Sequence, residues 1–244
     1  MLRKDPFEVK EGAIIVADAH YANYRPQFKE LLEKILKDEI KTTQIILLGD
    51  NVDLLVAKIK FFEIHEKEII DLLNRLADVK EIIYFEGNHD FMIKEMFPKI
   101  KVVPLTQQPM YARFHDSYGW LAHGDWNEPF SYRLYTAVQR NRVARVIYRV
   151  IDFVSDSALS KFLRQKMQDK KLCRKFENFE GYIREKFSSI SLEETWFIEG
   201  HYHQGIEFFM GQLRYINLDA MACNKSYFVV QSNNNEIVLD KRIL

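Results

Sequence analysis

Three short apolar runs open the chain, at residues 13–17 (AIIVA), 44–48 (QIILL) and 81–85 (EIIYF). None has an alternating polar face, which is how a strand buried on both sides reads. Between the first two, Phe28, Leu31, Leu32, Ile35 and Leu36 recur at helical spacing, and Pro26 sits where a first helical turn accepts it. Ile64, Ile69, Ile70, Leu72, Leu73 and Leu76 predict a second helix between the later two. Strands alternating with helices imply a mostly parallel sheet with right-handed crossovers. Beyond Pro98 shorter strands are expected at 101–103, 110–114 and 118–122, and residues 129 to 190 become helical and basic. Strand patterns return at 195–198, 206–210, 213–217 and 227–230, with a turn-like Asn233-Asn234-Asn235. The expected organisation is an α/β core (1–125 and 191–244) interrupted by a helical, basic cap insertion (126–190).

Composition narrows the class. A chain of 244 residues is one large domain or one domain with an insertion. With 47% hydrophobic and 29% charged residues, intrinsic disorder is excluded. Lys+Arg and Asp+Glu both number 35, which argues against a globally basic nucleic-acid binder. No apolar run approaches the roughly 18–20 residues of a membrane span, and residues 1–12 (MLRKDPFEVKEG) lack the apolar core of a secretory signal. Cys173 and Cys223 form no CxxC or zinc-ribbon spacing, which suits a reducing cytoplasm and argues against a disulfide scaffold. A cytoplasmic location is therefore expected.

The candidate chemistry lies where the apolar runs end. The first ends in Asp18-Ala19-His20, the second in Gly49-Asp50-Asn51-Val52-Asp53 and the third in Gly87-Asn88-His89-Asp90. The run at 118–122 ends in His123-Gly124-Asp125, and that at 196–198 is followed by Gly200-His201-Tyr202-His203. Ligands of open α/β sheets bind beyond the carboxyl ends of the strands, so five such loops would converge on one edge. Of seven histidines only His65 and His115 lie elsewhere. Taken singly each motif is weak, but chance would have to repeat at five successive strand ends. Carboxylate, imidazole and amide oxygen without thiolate suit borderline divalent ions, and Mn, Fe, Zn or Ni all qualify, with Mn the first expectation. There are too many donors for one tetrahedral ion; two ions roughly 3.5–4 Å apart sharing a carboxylate would use them.

In this order, DxH, GDxxD, GNHD, HGD and GHxH resemble the motifs of the calcineurin-like metallophosphoesterase superfamily. The resemblance implies a four-layer α-β-β-α sandwich with a dinuclear metal site. By position it implies that Asp18, His20 and His203 hold one ion, that Asn88, His123 and His201 hold the other, and that Asp50 bridges them. It also implies that His89 meets the scissile phosphate or leaving group, with Asp90 orienting its imidazole. Asp53 and Asp125 are expected to brace loops. The implied activity is hydrolysis of a phosphoester or phosphoanhydride.

The insertion carries 14 Lys+Arg against 7 Asp+Glu. Val143, Val146, Ile147, Val150 and Val154 form a helical stripe beside a basic one of Arg142, Arg145 and Arg149. Two readings stand: an ordinary cap helix with a core face, or a lid whose arginines bind an anionic, partly apolar substrate or rest on an anionic membrane. A helical insertion directly after HGD is similar to the branch of the superfamily that cleaves UDP-2,3-diacylglucosamine to UMP and 2,3-diacylglucosamine 1-phosphate in lipid A biosynthesis. That implies a lipid-linked nucleotide-sugar substrate and peripheral contact with the cytoplasmic face of the inner membrane. Two features depart from the branch: His89 stands where its members have Arg, and Glu128-Pro129-Phe130-Ser131-Tyr132 replaces an acidic pair. Another phosphoester substrate (a nucleotide, cyclic nucleotide, nucleic acid or phosphoprotein) and a non-catalytic scaffold are the alternatives.

Overall fold

The structure is a computed structural model that describes residues 5–190, 193–233 and 236–244. Asn234 and Asn235 of the expected turn lie outside the described residues. The early strands are β1 (Phe7–Glu8), β2 (Ile14–Val16), β3 (Gln44–Leu48), β4 (Leu55–Val56), β5 (Glu81–Phe85), β6 (Asp90–Phe91) and β7 (Lys101–Val103). They are followed by β8 (Met110–Phe114), β9 (Ser117–Ala122), β10 (Trp196–Glu199), β11 (Ile206–Met210), β12 (Leu213–Asn217), β13 (Ser226–Asn233) and β14 (Glu236–Ile243). One sheet has the order β14-β13-β2-β3-β5-β7 and the other β1-β8-β9-β10-β12-β11. In the first, β2, β3, β5 and β7 run parallel, as expected for the early alternating elements.

The helices are α1 (Gln27–Leu36), α2 (Lys60–His65), α3 (Lys67–Leu76), α4 (Phe130–Gln139), α5 (Arg142–Val154), α6 (Ala158–Gln168), α7 (Phe179–Phe187) and α8 (Met221–Asn224). The second early helix is thus two, α2 and α3, parted at Glu66.

The period-2 geometry of the strands builds the layers. Ile14, Val16, Ile45, Leu47, Ile82 and Tyr84 face Phe28, Leu31, Ile69 and Leu73 of α1 and α3. Their neighbours Ile15, Ala17, Ile46, Leu48, Ile83 and Phe85 face Phe114, Leu121, Trp196 and Ile198 of the second sheet. The outer side of that sheet, with Trp120, Phe197 and Tyr215, is covered by Phe179, Ile183 and Phe187 of α7 together with Trp126. The architecture is the expected four-layer α-β-β-α sandwich. Its fourth layer comes from within the insertion, and α4–α6 are the helices that stand clear of the sheets.

The apolar stripe on α5 is largely uncovered. Val143 is 67% exposed and Val154 79%, with Val146, Ile147 and Val150 just over half exposed. The stripe is not a core face. The expectation of no disulfide is overturned: Cys173, between α6 and α7, is disulfide-bonded to Cys223 of α8. Sequence spacing could not reveal this pair, because its proximity is set by how the insertion folds back on the core.

Candidate active site

Every expected ligand sits in a tight turn at the carboxyl end of a strand. Asp18, His20, Asp50, His201 and His203 all have positive φ, between 43° and 66°. L-residues avoid that region, and where it recurs in one place the surrounding structure over-determines it. Two glycines allow the loops to close in. Gly49 has φ +78°, and a Cβ there would lie 2.4 Å from His123 Nδ1. A Cβ on Gly87 would lie 2.1 Å from Asp50 Oδ1.

The side chains form three groups whose donor atoms lie within 4.8 Å of one another: Asp18, His20 and His203; His20, Asp50 and His89; and Asp50, His123 and His201. Asp18 Oδ1 is 3.2 Å from His203 Nε2. Asp50 Oδ2 lies 3.9 Å from His20 Nε2, while its Oδ1 lies 3.6 Å from His123 Nε2. Asn88 Oδ1 comes within 3.5 Å of His123 Nε2, and His201 Nδ1 within 3.2 Å of the same atom. The two oxygens of one carboxylate thus face two nests of donors, and His20 Nε2 is buried without a hydrogen-bond partner. Imidazole nitrogens turned toward each other and toward carboxylates at these separations fit a pair of divalent cations.

Backbone carbonyls set the ring orientations. Nδ1 of His123 pairs with Leu48 O at 2.8 Å, of His203 with Leu172 O at 2.7 Å and of His89 with Asp53 O at 2.7 Å. A carbonyl only accepts, so each Nδ1 carries the proton, which in His123 and His203 turns Nε2 toward the cluster. Electrostatics follow from burial. Burial pushes Asp50 up, but His89, His123, His20 and His201 outweigh it and hold its carboxyl well below the usual range. Burial holds His20 down at about 4, so it is neutral at pH 7, as a ligand must be.

Asp90 departs from its expected role. It does not touch the His89 ring; its carboxylate accepts from the backbone N–H of Asp50, Asn51 and Gly87 and from the Tyr84 hydroxyl at 2.6–2.9 Å. It knits the GDxxD and GNHD turns together, and burial and the Asp50 charge raise it to about 7. Asp53 and Asp125 brace loops as expected: Asp53 meets Arg25 at 2.9 Å and Asp125 meets Arg140 at 3.2 Å.

The arginines of α5 are not brought to the cluster. Arg145 approaches Glu95, and Arg149 lines a separate hollow with Lys58, Lys60 and Phe61; Arg142 lies exposed on the same helix. The cations that do arrive were not singled out in sequence. Lys170 Nζ lies 2.9 Å from His89 Nε2, and Arg140 Nη2 donates to Gly87 O at 2.9 Å. Their only sequence signal was membership of the basic insertion. Beside the cluster a hollow of about 900 Å³, lined by Asp125, Trp126, Arg133 and Arg140, leaves room for more than a phosphate.

Fold and site together define a metal-dependent phosphoester hydrolase. Residues 13–205 match the calcineurin-like phosphoesterase family, and the chain belongs to that family. Among curated proteins it is similar to a UDP-2,3-diacylglucosamine hydrolase of Chromohalobacter salexigens, 26% identical over 114 residues. That match covers 46% of each chain, so it spans about half the length of the relative. Among solved structures, a dimetal phosphatase from Danio rerio aligns with TM-score 0.49 and 12% identity over 94% of this chain and 95% of that one. A phosphoesterase from E. coli aligns with TM-score 0.45 and 13% identity over 94% of this chain and 97% of that one.

Proposed function

We propose that the protein hydrolyses the pyrophosphate of UDP-2,3-diacylglucosamine, giving UMP and 2,3-diacylglucosamine 1-phosphate. The observation that carries this reading is a two-nest Asp/His cluster in a chain whose insertion leaves an apolar helical stripe uncovered. The partial likeness to a UDP-2,3-diacylglucosamine hydrolase supports the choice of substrate. Asp18, His20 and His203 would hold one ion and Asn88, His123 and His201 the other, with Asp50 between them. Bound there, two divalent ions, Mn in the first instance, would supply a nucleophile at neutral pH and offset the charge of the phosphoryl oxygens.

The chain's own residues do the rest. His89, with its Nδ1 proton tied to Asp53 O, presents Nε2 toward the cluster. Lys170 brings a positive charge to the same spot and is suited to steady a phosphate oxygen. Asp90 keeps two of the ligand-bearing turns in register.

The exposed stripe of α5, with Arg142 and Arg149 alongside, suits peripheral contact with an anionic membrane surface, here the cytoplasmic face of the inner membrane. Among the described residues no helix is long and apolar enough to cross a membrane.

The deciding experiment compares Mn-loaded protein on UDP-2,3-diacylglucosamine and on UDP-glucosamine. The acylated substrate should be turned over at least about a hundredfold better in kcat/KM, the worth of a few buried methylenes. Equal rates would remove the lipid substrate and leave a phosphoesterase of other specificity.

A further inference from the structure

The disulfide joins two supports of one half of the cluster. On one side, Cys173 follows Leu172, whose carbonyl receives His203 Nδ1 at 2.7 Å. The same strap carries Lys170, in contact with His89, and is stitched to the residue after His203 by three bonds. Lys175 Nζ donates to Gln204 O, Phe176 N to Gln204 Oε1, and Gln204 Nε2 to Arg174 O, at 2.9–3.2 Å. On the other side, Cys223 lies in α8, whose first residues hold the turn of Asp18. Met221 N donates to Ala17 O at 3.0 Å and Ala222 N to Asp18 O at 3.1 Å. Asp18 Oδ2 in turn accepts from His201 N at 2.8 Å.

The sulfurs therefore tie the segment that aims His203 to the segment that seats Asp18, and those two side chains meet at 3.2 Å. In the other nest His123 and Asn88 have supports of their own, and only His201 leans on Asp18. His123 is aimed by Leu48 O and its backbone N–H is held by Gln108 Oε1 at 2.7 Å, while Asn88 stands between Gly87 and His89, each bonded to an Asp carboxylate. Of these only His89 is touched by the strap, through Lys170 Nζ at 2.9 Å.

We infer that Cys173 and Cys223 are positioning residues, and that their bond sets the cation affinity of the Asp18–His20–His203 nest far more than that of the Asn88–His123–His201 nest. The inference rests on the dinuclear reading of the site but not on the identity of the substrate. It makes the protein sensitive to dithiols. A dithiol attacks one sulfur, leaves as a cyclic disulfide and delivers two electrons and two protons, so that two thiols replace the bond. The strap is then held by hydrogen bonds alone, and Leu172 O is no longer fixed against His203. Losing such an outer partner typically costs 10–100-fold in metal affinity.

The test is calorimetric titration of the full-length, metal-stripped protein with Mn²⁺ at 20 °C, oxidised and after reduction by dithiothreitol, with free thiols counted to prove reduction. Two binding events are expected in the oxidised protein. After reduction one of them should weaken by 10–100-fold and the other by clearly less. The double variant Cys173→Ser/Cys223→Ser should reproduce the reduced protein and lose its response to dithiothreitol. Should it fail to fold, the reduced wild type carries the measurement alone. A merely stabilising cross-link would lower the melting temperature and leave both affinities unchanged at 20 °C, and that result overturns the inference, as does equal weakening of both events. Because the readout is binding, failure to turn over UDP-2,3-diacylglucosamine would leave it standing.

Discussion

Asp50 has the most exacting position in the molecule. It is buried, its backbone is left-handed, and its two oxygens face different histidines. Asp50→Asn keeps the shape but removes the charge that would offset two cations. We expect bound metal, measured by plasma mass spectrometry, to fall by at least half and hydrolysis of bis-p-nitrophenyl phosphate to fall more than about a hundredfold. His89 and Asp90 should separate cleanly. His89→Ala should lower turnover while leaving the urea midpoint near wild type. Asp90→Ala strands three backbone N–H groups and should cost about 3 kcal/mol or more in urea unfolding. The clustered side chains were legible because an apolar run that stops at Asp, Asn or His leaves few other uses for them. Lys170 and Arg140 were not, because long flexible cations in a charged stretch carry no periodicity; only the folded path of the insertion brings them to His89 and Gly87. Asp90 was misplaced for a related reason: adjacency to His89 in sequence suggested contact, whereas the turn sends the two side chains apart.

Among the elements, the strands buried on both faces were readable nearly to the residue, since such a short run admits few registers, whereas β1, β4, β6 and β14 were not expected and β13 outruns its expected 227–230. The break between α2 and α3 was not, because apolar spacing continues across Glu66. That residue has a consequence of its own. Burial pushes its carboxyl up to about 7, against the pull of Arg164 at 3.8 Å. A raised carboxyl keeps its proton in the folded state after the unfolded chain has released it, so stability declines as pH rises from about 4.5 to about 7. Glu66→Gln removes this dependence and should add up to roughly 3 kcal/mol at pH 8 while changing little at pH 4, measured by denaturant melts at both. The α5 stripe shows where an amphipathic pattern stops informing: the same spacing serves a core and an interface, and only exposure distinguishes them. Val146→Asp/Val150→Asp should abolish co-sedimentation with phosphatidylglycerol vesicles without lowering the melting temperature.

For the molecule as a whole, the sandwich was legible because strand-helix alternation leaves few architectures, but the source of its outer layers was not. The insertion read as one block from residue 126 to 190, yet its last helix belongs to the body. Ile183 is fully buried, and Lys186 Nζ donates to Gly124 O at 2.6 Å, pinning the HGD turn. Ile183→Ala should therefore behave as a central core substitution and cost about 2–5 kcal/mol, measured by thermal melts.

The placement of α7 also sets how such a protein can change over evolutionary time. A segment that carries a hood of exposed helices and a structural wall on one continuous thread cannot be exchanged wholesale for another module. Variation is freest on the exposed faces of α4–α6, between the wall's two anchors, Trp126 on one side and Phe179 on the other. Recombinants cut at the obvious boundaries would lose the outer cover of the second sheet along with the hood.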